Sequence, residues 1–260
     1  MQNLLNWDLA TTGSGGKGIF KVLVYSGILA ILAFAGCEQA SMLGSNDEQA
    51  SREVALEDYR SVWTYGLFDI SLVQDTVNKA VIKGRRSMVE KIHFKQEDGR
   101  ITVTEEKSNY WQPEAERPRL TFHFDNLNYF RIEEPSSLTS PDTIHTSRLE
   151  VIVANELSQI DLKLDVGYFY LENWTTSTGR FRLEGQCQKL EVKLCGSGIL
   201  KADKLAADKA FIRQKSIGDG YVRVSDTLKV HSTGSGDVYY YGSPRQVLFQ
   251  KESSGQLIGL

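Results

Sequence analysis

Residues 189–198, KLEVKLCGSG, contain the pattern that decides the fold of this chain. Leu190, Val192 and Leu194 alternate with charged residues, which is the two-residue period of a β-strand with one buried face. The alternation stops at Gly196-Ser197-Gly198, which suits a sharp corner because glycine accepts positive φ angles without a Cβ clash. A strand that ends in a glycine corner is therefore the predicted structural unit.

The same kind of corner recurs along the second half of the chain. Strand-like segments come about every ten residues, so each period of roughly 18 residues holds two strands. The corners between the Gly-x-Gly sequences have other compositions, such as Ser225-Asp226-Thr227. The predicted corner glycines are Gly196, Gly198, Gly218, Gly220, Gly234 and Gly236.

Corners of one kind at every second position predict coils that stack on one another over residues 150–260. Such coils form a right-handed parallel β-solenoid, or β-helix, in which each coil covers the edges of its neighbours. An antiparallel meander that closes a sandwich would also show turn signals about every 8 to 12 residues, and it stays open as the alternative.

Alternation also runs through residues 53–149, which makes the predicted fold all-β. Leu120, Phe122 and Phe124, for example, alternate with polar residues. This part lacks the glycine corners and has longer connections that contain prolines. We therefore expect a more irregular N-terminal β portion, which is either a separate domain or the first, distorted coils.

Residues 1–36 have the pattern of a signal peptide. The charge-free run Val22–Gly36 follows two lysines and is shorter than the roughly 20 residues of a membrane-spanning helix. Phe34-Ala35-Gly36-Cys37 resembles a bacterial lipobox, whose cysteine carries a diacylglycerol. Residues 37–52 are polar, which is typical of a flexible tether. The sequence thus predicts a lipid anchor at Cys37; an ordinary cleaved signal and an uncleaved anchor helix are the alternatives.

Composition argues against several kinds of partner and cofactor. The net charge of −3 and the pI near 5.9 lack the basic excess of a nucleic-acid-binding protein. Gly13–Gly18 matches a dinucleotide fingerprint in spacing, but it lies in the leader rather than between a strand and a helix. Asp219 and Asp237 faintly resemble calcium-binding repeats without repeating in phase. We expect no cofactor and no metal site.

The two cysteines of the β portion are expected to be free thiols. Cys187 and Cys195 are separated by an alternating segment, and an extended strand holds such residues much farther apart than the roughly 7 Å Cα limit of a disulfide.

Several segments together resemble the GIN-domain family of Bacteroidetes, whose members carry the label of autotransporter adhesin head domains. The most specific are Phe68–Gln74, Asp98–Val103 and Gly234–Val238, and the resemblance covers about residues 56–260. It implies a β-helical exported protein, often with a lipoprotein signal. Gly218-Asp219-Gly220 in place of GSG, and an insertion at 111–119, depart from the pattern.

The sequence predicts a non-catalytic binding or structural module of the cell envelope. We find no catalytic motif, and the alternating charges of the strands are typical of a solvated face. The membrane is the expected partner through acyl chains on Cys37, with a glycan or an envelope protein as a further partner and the outer membrane as the expected location. Tyr239, Tyr241, Trp111 and Trp174 are candidate glycan-stacking residues. A carbohydrate-active enzyme, similar to β-helical polysaccharide lyases, is the alternative.

Overall fold

The computed structural model describes residues 48–106, 116–174 and 178–260, which contain 17 strands, all linked by pairing, and confirm the all-β prediction. Among these residues the one helix is α1, Arg86–Val89, and none is long and apolar enough to span a bilayer. The strands are β1 (Gln49–Ala55), β2 (Ser61–Tyr65), β3 (Asp69–Gln74), β4 (Lys79–Arg85), β5 (Ile92–Glu97), β6 (Arg100–Glu105), β7 (Arg119–Phe124), β8 (Tyr129–Ile132), β9 (Ser137–Thr139), β10 (Ile144–Val153), β11 (Gln159–Asn173), β12 (Arg180–Gly196), β13 (Ile199–Ser216), β14 (Gly220–Ser232), β15 (Val238–Tyr241), β16 (Gln246–Lys251) and β17 (Leu257–Gly259).

Neighbouring strands in the second half run parallel, so the chain winds as a β-solenoid. Strands β10 to β14 pair in chain order, and each is parallel to the next. An antiparallel sandwich would pair these strands in opposite directions. The predicted parallel solenoid is therefore confirmed, and the sandwich alternative is wrong.

The long strands bend as they pass round a coil, so each contributes to more than one sheet. The front sheet consists, in order, of β5, β6, β2, β8, the C-terminal segments of β10–β14, and β16. The back sheet consists of β1, β4, β7, β3, β9, the N-terminal segments of β11–β14, β15 and β17. A narrower side sheet includes residues 144–146, 164–166 and 185–187.

The first coils stack in an order that differs from their order along the chain. β2 lies between β6 and β8, and β3 lies between β7 and β9, so the coil of β6 and β7 is outside the coil that precedes it in sequence. β5 and β4 then pair antiparallel with this outer coil and close the end of the stack. Residues 53–149 thus supply the first coils and their antiparallel end, within one compact unit that extends to Leu260.

The described structure begins inside the range 37–52 that the sequence assigns to a tether. β1 starts at Gln49 and pairs antiparallel with β4, so the residues from Gln49 onward belong to the sheet. The rest of the tether up to residue 47, together with Cys37 and the signal region 1–36, lies outside the described residues.

Inward apolar side chains form columns that run from coil to coil. Full burial of each such side chain contributes about 1.5 to 3 kcal/mol. Phe249 ends one column and is 36% exposed, because no further coil of the described chain covers it. This column contains, in order, Ile101, Val62, Phe130, Val151, Leu171, Val192, Ile212, Val230 and Phe249.

The corner glycines lie at the ends of the strands or between them, but positive φ explains only one of them. Gly196 has a φ of 66°, whereas the other five predicted corner glycines do not have positive φ. A Cβ on Gly218 would lie 2.5 Å from the oxygen of Gly198, and one on Gly236 would lie 2.1 Å from the oxygen of Gly218. Close approach of successive coils is therefore the physical reason for glycine at 218 and 236. Gly220 has neither constraint, since its nearest such contact is 3.9 Å.

Cys187 and Cys195 are free thiols, as predicted, and both are buried in β12. Burial raises the pKa of the Cys187 thiol to about 12, with a smaller contribution from the charge of Asp208. Burial raises the pKa of Cys195 as well.

We expect both thiols to resist alkylation in the folded protein, because the thiolate is the reactive form and the native fold suppresses it. Iodoacetamide at pH 8 should add no mass to either side chain under native conditions, and should modify both in concentrated urea. Rapid labelling of the folded protein at Cys187 would contradict the burial described here.

Candidate functional site

The outward surface of the front sheet, here called the front face, carries aromatic and charged side chains in register. Parallel pairing places the matched residues of successive coils about 4.8 Å apart, so these side chains form columns along the stack. The first column is Trp63, Arg131, Ile152, Glu172, Lys193, Arg213, His231 and Gln250; the second is Tyr129, Glu150, Tyr170, Glu191, Phe211, Lys229 and Leu248; the third is Arg148, Tyr168, Lys189, Lys209, Thr227 and Gln246.

The first coils of the front face hold alternating arginine and tryptophan side chains. The guanidinium carbons of Arg100 and Arg131 lie 5.4 and 5.0 Å from the ring centroid of Trp63. Arg131 also lies 5.3 Å from the ring of Trp174, and Trp63 lies 6.2 Å from the ring of Tyr129. Cation–π contacts of this kind hold each ring and each guanidinium in place. The arginine and tryptophan side chains of this part of the front face therefore already have partners within the chain.

A second cluster surrounds Glu191 in the middle coils. The carboxylate accepts a 3.2 Å hydrogen bond from the hydroxyl of Tyr168 and forms 3.3 Å ion pairs with Lys189 and Arg213. Burial raises the pKa of Tyr168, and the negative charge of Glu191 adds to this effect. Arg148 covers the ring of Tyr168 at 4.5 Å. All the contacts of the Glu191 carboxylate described here are thus made within the chain.

Glu172 is engaged in the same way one coil earlier. It accepts a 2.7 Å hydrogen bond from the Tyr170 hydroxyl and pairs with Lys193. Burial alone would raise the pKa of Glu172, but the hydrogen bonds from Lys193 and Tyr170, together with nearby positive charge, outweigh it and hold this pKa below its usual range. The side chain therefore accepts hydrogen bonds and does not offer an easily protonated base.

The last coils form a shallow depression of about 570 Å³, here called the Phe211 depression. Its outward apolar surface includes Phe211 and Leu248, a side chain of the uncovered final coil that is 45% exposed. Phe249 borders the depression at the open end of the inward column. The ammonium groups of Lys189 and Lys229 lie 4.9 and 5.3 Å from the centroid of the Phe211 ring. An aromatic ring with two flanking ammonium groups is thus presented on the surface.

Positive charge exceeds negative charge in the Phe211 depression. Lys189, Arg213 and Lys229 line it against one carboxylate, Glu191, which is already paired with the first two cations. Within the described residues, Lys229 has no carboxylate at ion-pair distance, and neither has its neighbour Lys209. This excess stands out on a chain whose net charge is −3.

The two tyrosines proposed from the sequence, Tyr239 and Tyr241, lie elsewhere, on the back sheet. Tyr239 stacks on Tyr221 with ring centroids 4.9 Å apart, and Tyr241 lies 5.3 Å from Arg223. Tyr240, between them, packs against the core. These rings are half-buried and cover neighbouring coils. Trp174 is 47% exposed at the edge of the front face, whereas Trp111 lies outside the described residues.

The corner aspartates join successive coils. Asp219 accepts a 2.9 Å hydrogen bond from the backbone N–H of Asp237, and Asp237 accepts one of 2.8 Å from the N–H of Gln256. The described residues contain no group of three or more metal-binding side chains that could hold an ion. Backbone capping thus explains the aspartates at these corners.

Sequence reasoning missed the front face, although a signal for it was present. Tyr168 and Tyr170 flank Phe169 just as Tyr239 and Tyr241 flank Tyr240, so alternation turns both tyrosines outward. No local pattern, however, says that Tyr168, Glu191 and Phe211 come from three successive coils and lie together. That proximity depends on the register between coils.

The family comparison identifies the class of protein to which this fold belongs. The chain matches the family described as "Putative auto-transporter adhesin, head GIN domain" over residues 58–244. Because the match covers well over half of the chain, the protein belongs to this family, and the resemblance seen in the sequence is confirmed. No curated protein is similar enough to the chain to count as a match.

Solved structures support the same fold. A protein of Bacteroides fragilis NCTC 9343, described as "a putative adhesin", superposes with a TM-score of 0.75 at 18% identity, covering 82% of this chain and 97% of the other. A "putative lipid binding protein" of Parabacteroides distasonis ATCC 8503 gives a TM-score of 0.61 at 16% identity, covering 83% and 98%. At such low identity the similarity concerns the fold alone.

Proposed function

We propose that this protein is a non-catalytic binding module of the cell envelope, held at a membrane by acyl chains on Cys37. The observation that supports binding is the front face, where aromatic and charged side chains continue in register across the coils. Family membership supports an adhesin-like role, since the family description names an adhesin head domain. A rigid solenoid would present this face to a glycan or to an envelope protein.

The front-face carboxylates support binding rather than catalysis. A polysaccharide lyase needs a group that is free to remove a proton from the sugar ring. Glu172 and Glu191 each accept a hydrogen bond from a tyrosine and pair with at least one cation, so both are engaged in structural contacts. We therefore expect retention of a ligand by the purified protein without shortening of that ligand over long incubation; depolymerisation would favour the enzyme alternative.

Replacing Cys37 by serine should release the protein from membranes into the soluble fraction. Each buried CH₂ of an acyl chain contributes about 0.8 kcal/mol to membrane binding, and serine cannot carry the thioether-linked lipid. Fractionation of cells that express the Cys37→Ser chain, followed by immunoblotting, measures this. Ser41→Ala in the same tether is the matched control and should stay with the membrane. Equal membrane association of both variants would contradict lipid anchoring.

Exposure at the cell surface decides whether the protein can bind a partner on another cell. Protease added to intact cells should cleave the protein if it faces outward, and should spare it if it faces the periplasm. Protection in intact cells with cleavage after outer-membrane permeabilisation would restrict the partner to an envelope component.

A further inference from the structure

We propose that the Phe211 depression binds an acidic polysaccharide, with sugar rings packed on its apolar surface and carboxylates paired with its lysines. This inference rests on the proposed binding function and assigns a ligand class and a place to it. The observation that carries it is the combination of an exposed apolar surface with two lysines, Lys209 and Lys229, that have no carboxylate at ion-pair distance in the described chain.

The charge of the depression selects an anion. Of its cations, Lys189 and Arg213 share Glu191, whereas Lys229 has no carboxylate at ion-pair distance within the described ranges. Lys209 is matched in register with Lys189 and is likewise exposed and without such a carboxylate partner. An anionic ligand would therefore gain charge-assisted hydrogen bonds from these ammonium groups without displacing an existing ion pair.

The apolar part of the depression favours a ligand that has an apolar surface in addition to its negative charge. Phe211 and the exposed Leu248 offer a surface suited to the apolar face of a pyranose ring. The ammonium groups of Lys189 and Lys229 are already held beside the Phe211 ring, so little side-chain order is lost when they meet a ligand. Carboxylates attached to sugar rings satisfy both requirements together.

The shape of the site selects a polymer. The depression is an open trough on the outer surface, and its residues come from four successive strands of the front sheet, β12, β13, β14 and β16. An open trough leaves room for a chain to enter and leave, whereas a terminal sugar or a free ion would favour an enclosed pocket. Polygalacturonate, a polymer of uronic acids, is a suitable probe.

Calorimetric titration of the purified full-length protein with polygalacturonate tests the proposal. We expect binding that weakens as NaCl is raised, because salt screens exposed charge pairs. The fully methyl-esterified polymer keeps the same backbone without the carboxylates and should not bind. Equal binding of the esterified and free-acid polymers would overturn the proposal.

Substitutions then locate the site. Lys229→Gln and Phe211→Ala should each weaken polygalacturonate binding by about tenfold or more, the effect of losing one charge-assisted contact or one stacking surface. Lys201→Gln, an exposed lysine on the back sheet, is the matched control and should leave the affinity unchanged. Unchanged melting temperatures would show that all three variants fold. Loss of affinity in the back-sheet variant alone would overturn the placement.

The outcomes separate this inference from the function on which it rests. Binding of neutral glycans or of an envelope protein without polygalacturonate binding would overturn the ligand class and leave the binding role standing. Retention on vesicles of anionic phospholipid, with no affinity for the polymer, would likewise overturn it in favour of a lipid surface. Absence of binding to every class of ligand would count against both.

Discussion

Replacing Gly236 by alanine should destabilise the protein by about 3 kcal/mol or more, the upper range for forcing extra atoms into a packed interior. The new Cβ would lie 2.1 Å from the carbonyl oxygen of Gly218 and 2.8 Å from the amide nitrogen of Gln214. Relief would require moving the Gly218 carbonyl, which accepts a 2.7 Å hydrogen bond from Gln214. The clash therefore falls on a carbonyl that a hydrogen bond within the preceding coil holds in place.

Thermal unfolding followed by circular dichroism measures this effect. For a domain of this size, about 3 kcal/mol corresponds to a decrease in Tm of roughly 6 to 12 °C. Gly220→Ala is the control, because its Cβ would meet only Val238 Cγ2 at 3.9 Å and its φ is not positive. That variant should be neutral or stabilised by up to about 1 kcal/mol, since alanine lowers the entropy of the unfolded chain. Equal destabilisation of both variants would contradict the close-approach explanation.

Replacing Asn173 by leucine should cost up to about 3 kcal/mol, because it removes the partner of one buried backbone N–H in the next coil and one of the two hydrogen bonds to the carbonyl of the same residue. The Asn173 amide donates a 2.9 Å hydrogen bond to the carbonyl of Cys195 and accepts one of 2.8 Å from the N–H of the same residue. Asn173 is fully buried. Leucine has a similar volume but supplies neither a donor nor an acceptor, and water does not reach the position.

Urea unfolding is the suitable measurement for the Asn173→Leu variant. A lower transition midpoint with an unchanged slope would show a loss of stability without a change in the denatured state. Hydrogen exchange at the Cys195 amide should accelerate as well, which places the effect at the corner. Gln186→Ala removes an exposed amide contact between coils, a 2.8 Å bond to Asp165, and should change stability by less than about 0.5 kcal/mol. If the Asn173→Leu variant were as stable as this control, the corner amide would contribute little.

The strands and their parallel stacking could be predicted from the sequence because both depend on local signals. Alternation such as that of Leu190, Val192 and Leu194 predicts which side chains face the core, and similar corners at every second position predict a coil. The inversion of the first coils could not be predicted in this way. Placing β2 between β6 and β8 depends on pairings between distant residues that no period in the sequence encodes.

The role of the corner glycines was only partly predictable for a related reason. Positive φ is a property of one residue, so it is the natural explanation when only the sequence is known, and Gly196 conforms to it. The constraint on Gly218 and Gly236 comes from the carbonyl of the preceding coil. Its strength depends on how closely the coils approach, and Gly220 shows that one glycine of a Gly-x-Gly corner can be free of this constraint.

Register between coils also explains why the candidate site differs from the residues that the sequence predicts. Tyr239 was identified from its immediate neighbours, and its ring is used against Tyr221. Phe211 stands beside Ile212, and the sequence alone does not reveal that Lys189 and Lys229 meet its ring from either side. A binding surface that forms between coils is a property of their stacking.

The two ends of the stack give the molecule a direction. One terminus is sealed by chain that reverses its course, while the other stops at β16 and β17, whose outer backbone groups pair with nothing else in the described chain. Because β16 and β17 run parallel to the strands they pair with, a further parallel coil could be added at this second end, where it would cover the side chain of Phe249.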